Sequence, residues 1–257
     1  MTGIGRRSIR ALTALAVVMA IAAGTAGDAG AVSPPVAGGP GGAGACSSQA
    51  STARSTPTVA NLRVFGDCEI SRRQATITQL TKVINGSKTL TTTDANALKA
   101  GVSAASSELA TLKSNLDSES AIAVLKATIV QIVNKVRVYV LLVPQVRLTV
   151  AADDVLSLQP HLTALSAQLA DRIAAAGAAG KDTTAAQSAL DAMNTALSKA
   201  VALAAPWPAQ LVGLTPADFD SGAAAPVLTR ARVALGDASL QLKAAVADGR
   251  AALRALQ

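Results

Sequence analysis

Large aliphatic residues at alternating spacings of four and three constrain this chain more than any other feature. Leu98, Val102, Ala105, Leu109, Leu112 and Leu116 follow the alternation, and Ile122, Leu125, Ile129, Ile132, Val136, Tyr139 and Val143 continue it. Side chains three and four apart lie one above the other on one face of an α-helix. A face of this length is stable only when other helices cover it. The residues available to fill such a core are small: 58 of 257 are Ala, against one Trp, one Tyr and two Phe. A core of stacked rings is therefore excluded, as is an aromatic platform for single-stranded nucleic acid.

Start and stop signals divide the pattern. Asp67 is expected to cap a first helix bearing Ile70, Ile77, Leu80 and Ile84, which Gly86 ends. Thr91 with Asp94 three residues on marks a second start, because hydroxyl and carboxylate can satisfy orphan amides. Asp117 or Ser118 opens a third helix that Pro144 interrupts. A fourth runs from about Gln145 to Ala176 with Leu158, Leu162, Leu165, Leu169 and Ile173 in its stripe and a kink at Pro160. Gly177 and Gly180 stop it. Asp182 caps a fifth carrying Leu190, Met193, Leu197 and Val201, which Pro206-Trp207-Pro208 breaks. Thr215-Pro216-Ala217-Asp218 opens a short turn ending near Gly222. A last helix starts near Pro226, with Leu228, Leu235, Leu242 and Leu256 on one heptad position and Ala231, Ala238 and Ala245 beside it. The alternation of Val136, Val138, Val140 and Leu142, then Val146, Leu148 and Val150, also suits a strand hairpin turning at Pro144. The longer heptad run outweighs it. The expected fold is all-α: an elongated antiparallel bundle of four to five long helices with heptad-type seams over 66–257.

The N-terminal part reads differently. Residues 1–31 have the form of a secretory signal: Arg6, Arg7 and Arg10, an uncharged run from Ala11 to Ala26, and Ala29-Gly30-Ala31 before a cleavage expected ahead of Val32. The run is short for a membrane anchor. Arg6-Arg7 resembles a twin-arginine signal without the usual apolar pair, and Ala45-Cys46 lies too far along for lipidation. Residues 32–65, rich in Gly, Pro, Ser and Thr, are expected to be a disordered linker. Cys46 and Cys68 are the only cysteines. An oxidising compartment makes a disulfide between them the expected state, contributing about 3 kcal/mol.

The residues for catalysis are scarce. Glu69, Glu108 and Glu119 are the only glutamates and His161 the only histidine, which excludes a di-iron bundle site and leaves a structural zinc site without ligands. A hydrolytic triad would have to use His161, which directly follows Pro160 and is expected to be a partly exposed helix residue. Asp153-Asp154 diverge by about 100° on a helix and do not form a carboxylate pair by themselves; they are expected to be solvated or paired with Arg. No cofactor is implied. Lys135 to Asp154 is a very apolar stretch holding Arg137, Tyr139, Arg147, Asp153 and Asp154, expected to form a packed crossing of the bundle. Its alternative use is insertion of residues 121–150 into lipid, although Lys126, Lys135 and Arg137 make spanning costly, at about 3 kcal/mol each. An enzyme would have to work with Asp153, Tyr139 and Arg. The net charge is +7, of which residues 1–31 carry +2 and leave +5.

The signal, the linker, Asp67-Cys68-Glu69-Ile70, Val136-Arg137-Val138-Tyr139 to Pro144, and Ala151-Ala152-Asp153 together resemble exported, Ala-rich helical proteins of high-GC bacteria. The likeness carries no activity and transfers no functional residue. The expected function is a non-enzymatic helical bundle, exported or held at the cell envelope, acting as a structural or interaction module. Its expected partners are an envelope protein or an anionic envelope polymer, with a membrane surface as the alternative and no nucleic acid.

Overall fold

The computed structural model describes residues 44–257. The expected signal, its cleavage point and the first part of the linker lie outside them. Among the described residues every regular element is helical and no strand occurs, so the hairpin alternation at 136–150 does not form one. The elements are α1 (Ser47–Ser55), α2 (Val59–Gly86), α3 (Thr92–Ser118), α4 (Ile122–Asn134), a π-helical turn (Val138–Leu142), α5 (Val143–Ala178), α6 (Thr184–Ala204), α7 (Trp207–Val212), α8 (Pro216–Asp220) and α9 (Ala224–Ala255). The chain forms two compact units; among the described residues one takes 44–156 and 202–235, the other 157–201 and 236–257.

In the larger unit, helix begins earlier than the composition suggests. Residues 47–55 of the expected linker are α1, and α2 starts at Val59 rather than near Asp67. Two local causes are visible. The Thr58 hydroxyl accepts a hydrogen bond from the Asn61 amide at 3.2 Å, which caps α2. Cys46 and Cys68 lie at disulfide distance, Cα atoms 5.9 Å apart, and hold α1 to α2. Cys46 and Ala53 are thereby buried. Asp67, inside α2, pairs with Lys113 on α3 at 3.1 Å.

The seam residues form the core of this unit. Leu109, Leu116, Leu125 and Ile132 are fully buried, each contributing about 1.5–3 kcal/mol. α2 and α3 come close at Gly66, where a Cβ would stand 2.6 Å from Leu116 Cδ2. Arg63 crosses the same contact and donates to the Leu116 carbonyl at 3.2 Å and the Glu119 carbonyl at 2.6 Å. These are carbonyls that the end of α3 leaves without helical partners. Thr91 caps α3 as its sequence implies, accepting from the Asp94 amide at 3.1 Å.

The expected third helix does not run through to Val143. It ends at Asn134, and Arg137 takes a left-handed conformation (φ +45°), the only non-glycine residue with positive φ among the described residues. The π-helical turn follows and leads into α5, with Pro144 in its first turn rather than between helices. A proline ring clashes with the carbonyl four residues back, and a helix that loosens into longer-range bonding just before it relieves that clash. Pro160 lies within α5, which continues past it.

The smaller unit is built from the later part of α5, most of α6 and the later part of α9. Leu162, Leu169, Met193, Ala196, Ala200, Ala238, Leu242, Ala245 and Ala252 are all buried within it. At Gly249 a Cβ would meet Met193 Sδ at 3.0 Å. The Asp182 carboxylate accepts from the Thr184 amide at 2.9 Å to start α6.

Candidate functional site

A groove of 540 Å³ opens in the larger unit between α3, the π-helical turn with the start of α5, and the segment from Val212 to Pro216. Three features of the sequence make it. On α3, Ala97, Gly101, Ala104 and Ala105 present a face without bulk. Leu98 on the same helix, with Val136, Leu141, Leu142, Val212 and Leu214 from the other segments, gives an apolar floor and walls. Gln145, buried at the base of α5, donates from its amide nitrogen to the Leu211 carbonyl at 2.7 Å and the Leu214 carbonyl at 3.1 Å. That fork holds the end of α7 and the chain after it as one wall. At the rim, Lys135 Nζ and Glu108 Oε1 are 3.1 Å apart, with side chains 55% and 36% exposed. The volume lies in the range of small-molecule sites.

The other wall is fixed through Arg137. Its guanidinium donates to Asp220 Oδ1 at 3.0 Å and 2.6 Å and stands 5.1 Å above the Phe219 ring. Arg137 thus ties the left-handed break to α8. That helix is started by a reciprocal cap in which Thr215 and Asp218 bond each other's side chain and amide. The Thr215 hydroxyl and amide hold the Asp218 carboxyl below the usual carboxylate range.

The residues singled out for chemistry do not meet in one place. Asp153 is neither solvated nor arginine-bound, as its sequence context suggested: it is 2% exposed, and its Oδ2 accepts from the Thr91 amide at 3.0 Å. Asp94, also buried, accepts from the Thr91 hydroxyl at 2.6 Å. Asp154 accepts from the Thr89 hydroxyl. Three carboxyls therefore gather at the start of α3. Burial raises the Asp153 carboxyl above its ordinary range; the Thr91 amide works against this, and Asp94 and Asp154 add to it. Tyr139 has other neighbours. The guanidinium carbons of Arg72 and Arg73 lie 4.7 Å and 5.4 Å from its ring centre, and both arginines pair with the buried Glu69. His161 is exposed on α5, in the smaller unit, as is Arg147 near the start of that helix in the larger one. Among the described residues no group of three or more His, Cys, Asp and Glu side chains is arranged to hold a metal ion.

Sequence reasoning missed the groove. One signal was present: Gly101 sits in the middle of a helix, where it costs about 1 kcal/mol relative to Ala. Such a glycine marks a place where bulk is kept out. The opposing wall comes from residues more than a hundred positions later, and no local pattern announces it. Comparison with known protein families, with curated proteins and with solved structures finds no match.

Proposed function

We propose that the protein is an exported, non-enzymatic helical bundle that works as an interaction module at the cell envelope. The observation that carries this reading is the open, apolar-floored groove, set among charged side chains already engaged with one another. Asp94, Asp153 and Asp154 are taken up around the cap of α3, and the Tyr139 ring is covered by Arg72 and Arg73. The form of the fold proposed for this role is four to five long antiparallel helices with heptad-type seams. The burial of Leu98, Val102, Leu109, Leu112 and Leu116 at alternating four and three spacing supports it. Removal of residues 1–31 ahead of Val32 would deliver the mature chain, and the net charge of +5 then left favours anionic polymers among its partners. Crosslinking in the native envelope followed by mass spectrometry tests the reading. A recurrent envelope protein or polymer adduct is expected; recovery of the protein in the cytoplasm of its host would contradict it.

A second reading has its own support. Ile122–Ala178 contains the one stretch among the described residues that is long and apolar enough to cross a membrane, with mean hydropathy 1.4. Ile122, Val124, Val130, Val133 and Val140 are also exposed within a short span. A membrane-active bundle that transfers residues 121–150 into lipid would use this surface. Purified protein would then release dye from anionic liposomes at micromolar concentration. Intact liposomes from mildly acidic to neutral pH would leave the interaction module as the sole reading.

A further inference from the structure

We propose that the groove binds one molecule of a single-chain zwitterionic amphiphile, its aliphatic chain on the apolar floor and its charged head at the Glu108–Lys135 pair. The assignment rests on the reading of the chain as a binding module and names the ligand class of that same site. Shape decides first. A packed helix 10–12 Å across takes about 400–600 Å³ per turn. The 540 Å³ of the groove would seat barely one turn, too little for a partner helix. A methylene takes nearly the space of a liquid water molecule, about 30 Å³, so the same volume accepts a chain of roughly a dozen carbons with part of a headgroup. Beside the floor formed by Leu98, Val136, Leu142 and Leu214, the polar side chains away from the rim are Gln145, whose amide nitrogen is already bonded to backbone, and Thr215, whose hydroxyl is bonded to Asp218.

Charge decides the head. Lys135 and Glu108 stand together at the rim and both reach solvent. A purely anionic head meets the Glu108 carboxylate as it approaches Lys135, and a purely cationic one meets the Lys135 ammonium as it approaches Glu108. A head carrying both signs satisfies both, a phosphate on Lys135 and an ammonium on Glu108, and replaces one ion pair by two.

Gly101 supplies the control. A Cβ there would meet only Leu142 Cδ1, at 3.9 Å, an ordinary contact. Gly101→Leu therefore places a side chain in the groove while improving the helix. The experiment is calorimetric titration of the purified chain with monomeric myristoyl lysophosphatidylethanolamine below its micelle concentration, and in parallel with myristate and tetradecylamine. Saturable binding of the zwitterion, with both singly charged chains weaker by about tenfold or more, is expected. Gly101→Leu should weaken the zwitterion by about tenfold at unchanged or raised melting temperature, and Glu108→Gln should move preference toward myristate. Equal binding of all three amphiphiles, or undiminished binding by Gly101→Leu, would overturn the assignment. So would no binding at all. Envelope crosslinks to a protein partner together with no amphiphile binding would remove the ligand and leave the interaction module standing.

Discussion

Asp153 is the buried group whose ionisation this fold resists. Its carboxyl is held above the ordinary range by burial first, with Asp94 and Asp154 adding to the effect against the Thr91 amide. A raised carboxyl favours the protonated folded state. The stabilisation is present below the ordinary carboxyl value of about 4 and is lost as pH rises through the higher folded-state value. Urea midpoints should therefore carry a falling contribution from this group as pH rises above about 4. Asp153→Asn keeps an acceptor for the Thr91 amide and offers Asp94 a donor. It should raise stability at neutral pH by about 1 kcal/mol and flatten the pH dependence; a loss of stability at neutral pH would show that the carboxylate is needed. Gly66 makes a second residue-scale case. A methyl there runs into Leu116, so Gly66→Ala should cost about 1–3 kcal/mol by denaturant unfolding despite its better helix propensity. The double change with Leu116→Val should recover part of that, and a neutral single variant would mean that Leu116 turns aside freely. Neither effect was legible in the chain. Asp153 looked like a surface residue because its nearest sequence neighbours say nothing of Asp94 and Thr91 some sixty positions earlier.

Helix starts were readable at three local caps, but not at Asp117 or Ser118, where α3 ends and from which α4 starts only at Ile122. Thr91 with Asp94, Asp182 with Thr184, and Thr215 with Asp218 each bond within three residues, so their residue types are sufficient signals. The start of α2 was misplaced because Thr58 lies in a run of Ser, Thr, Pro and Ala that composition alone marks as linker. The break before Pro144 shows the same limit. Proline forecast an interruption, but where the chain relaxed was settled at Arg137, which bonds Asp220 and covers Phe219 far along the sequence. That residue separates backbone strain from side-chain contact. Arg137→Ala and Arg137→Gly both remove the guanidinium, but only glycine adopts the left-handed conformation without steric cost. The glycine variant should exceed the alanine variant in stability by about 1 kcal/mol in urea midpoints. Equal values would mean that the turn rearranges once the guanidinium is gone.

On the scale of the whole molecule, the pair Cys46 and Cys68 ties a short, weakly apolar helix to the larger unit. Nine residues are too few to hold helix alone in water, so α1 should depend on that bond. Mass measurement without reductant should find the protein two protons lighter than its reduced form. Replacing both cysteines by Ser should cost about 3 kcal/mol and leave α1 amides exchanging freely while α3 stays protected; a protected α1 would mean that packing of Ala53 alone suffices. The sequence by itself determined the class of this fold. An alternation of three and four, filled with Leu, Ile, Val and Ala and almost without rings, can bury its apolar face only between helices, and that requirement holds wherever the partners come from. Its one His and three Glu also leave too few ligands for a di-iron or structural zinc site. Tertiary structure decided what those helices leave open. The groove exists because Gly101 and its Ala neighbours on α3 meet a wall that Gln145 pins from Leu211 and Leu214, and because Lys135 and Glu108 arrive together at its rim. Periodicity fixes which face of a helix turns inward. Which distant segment faces it, and how much space stays between them, depends on packing that no single helix encodes.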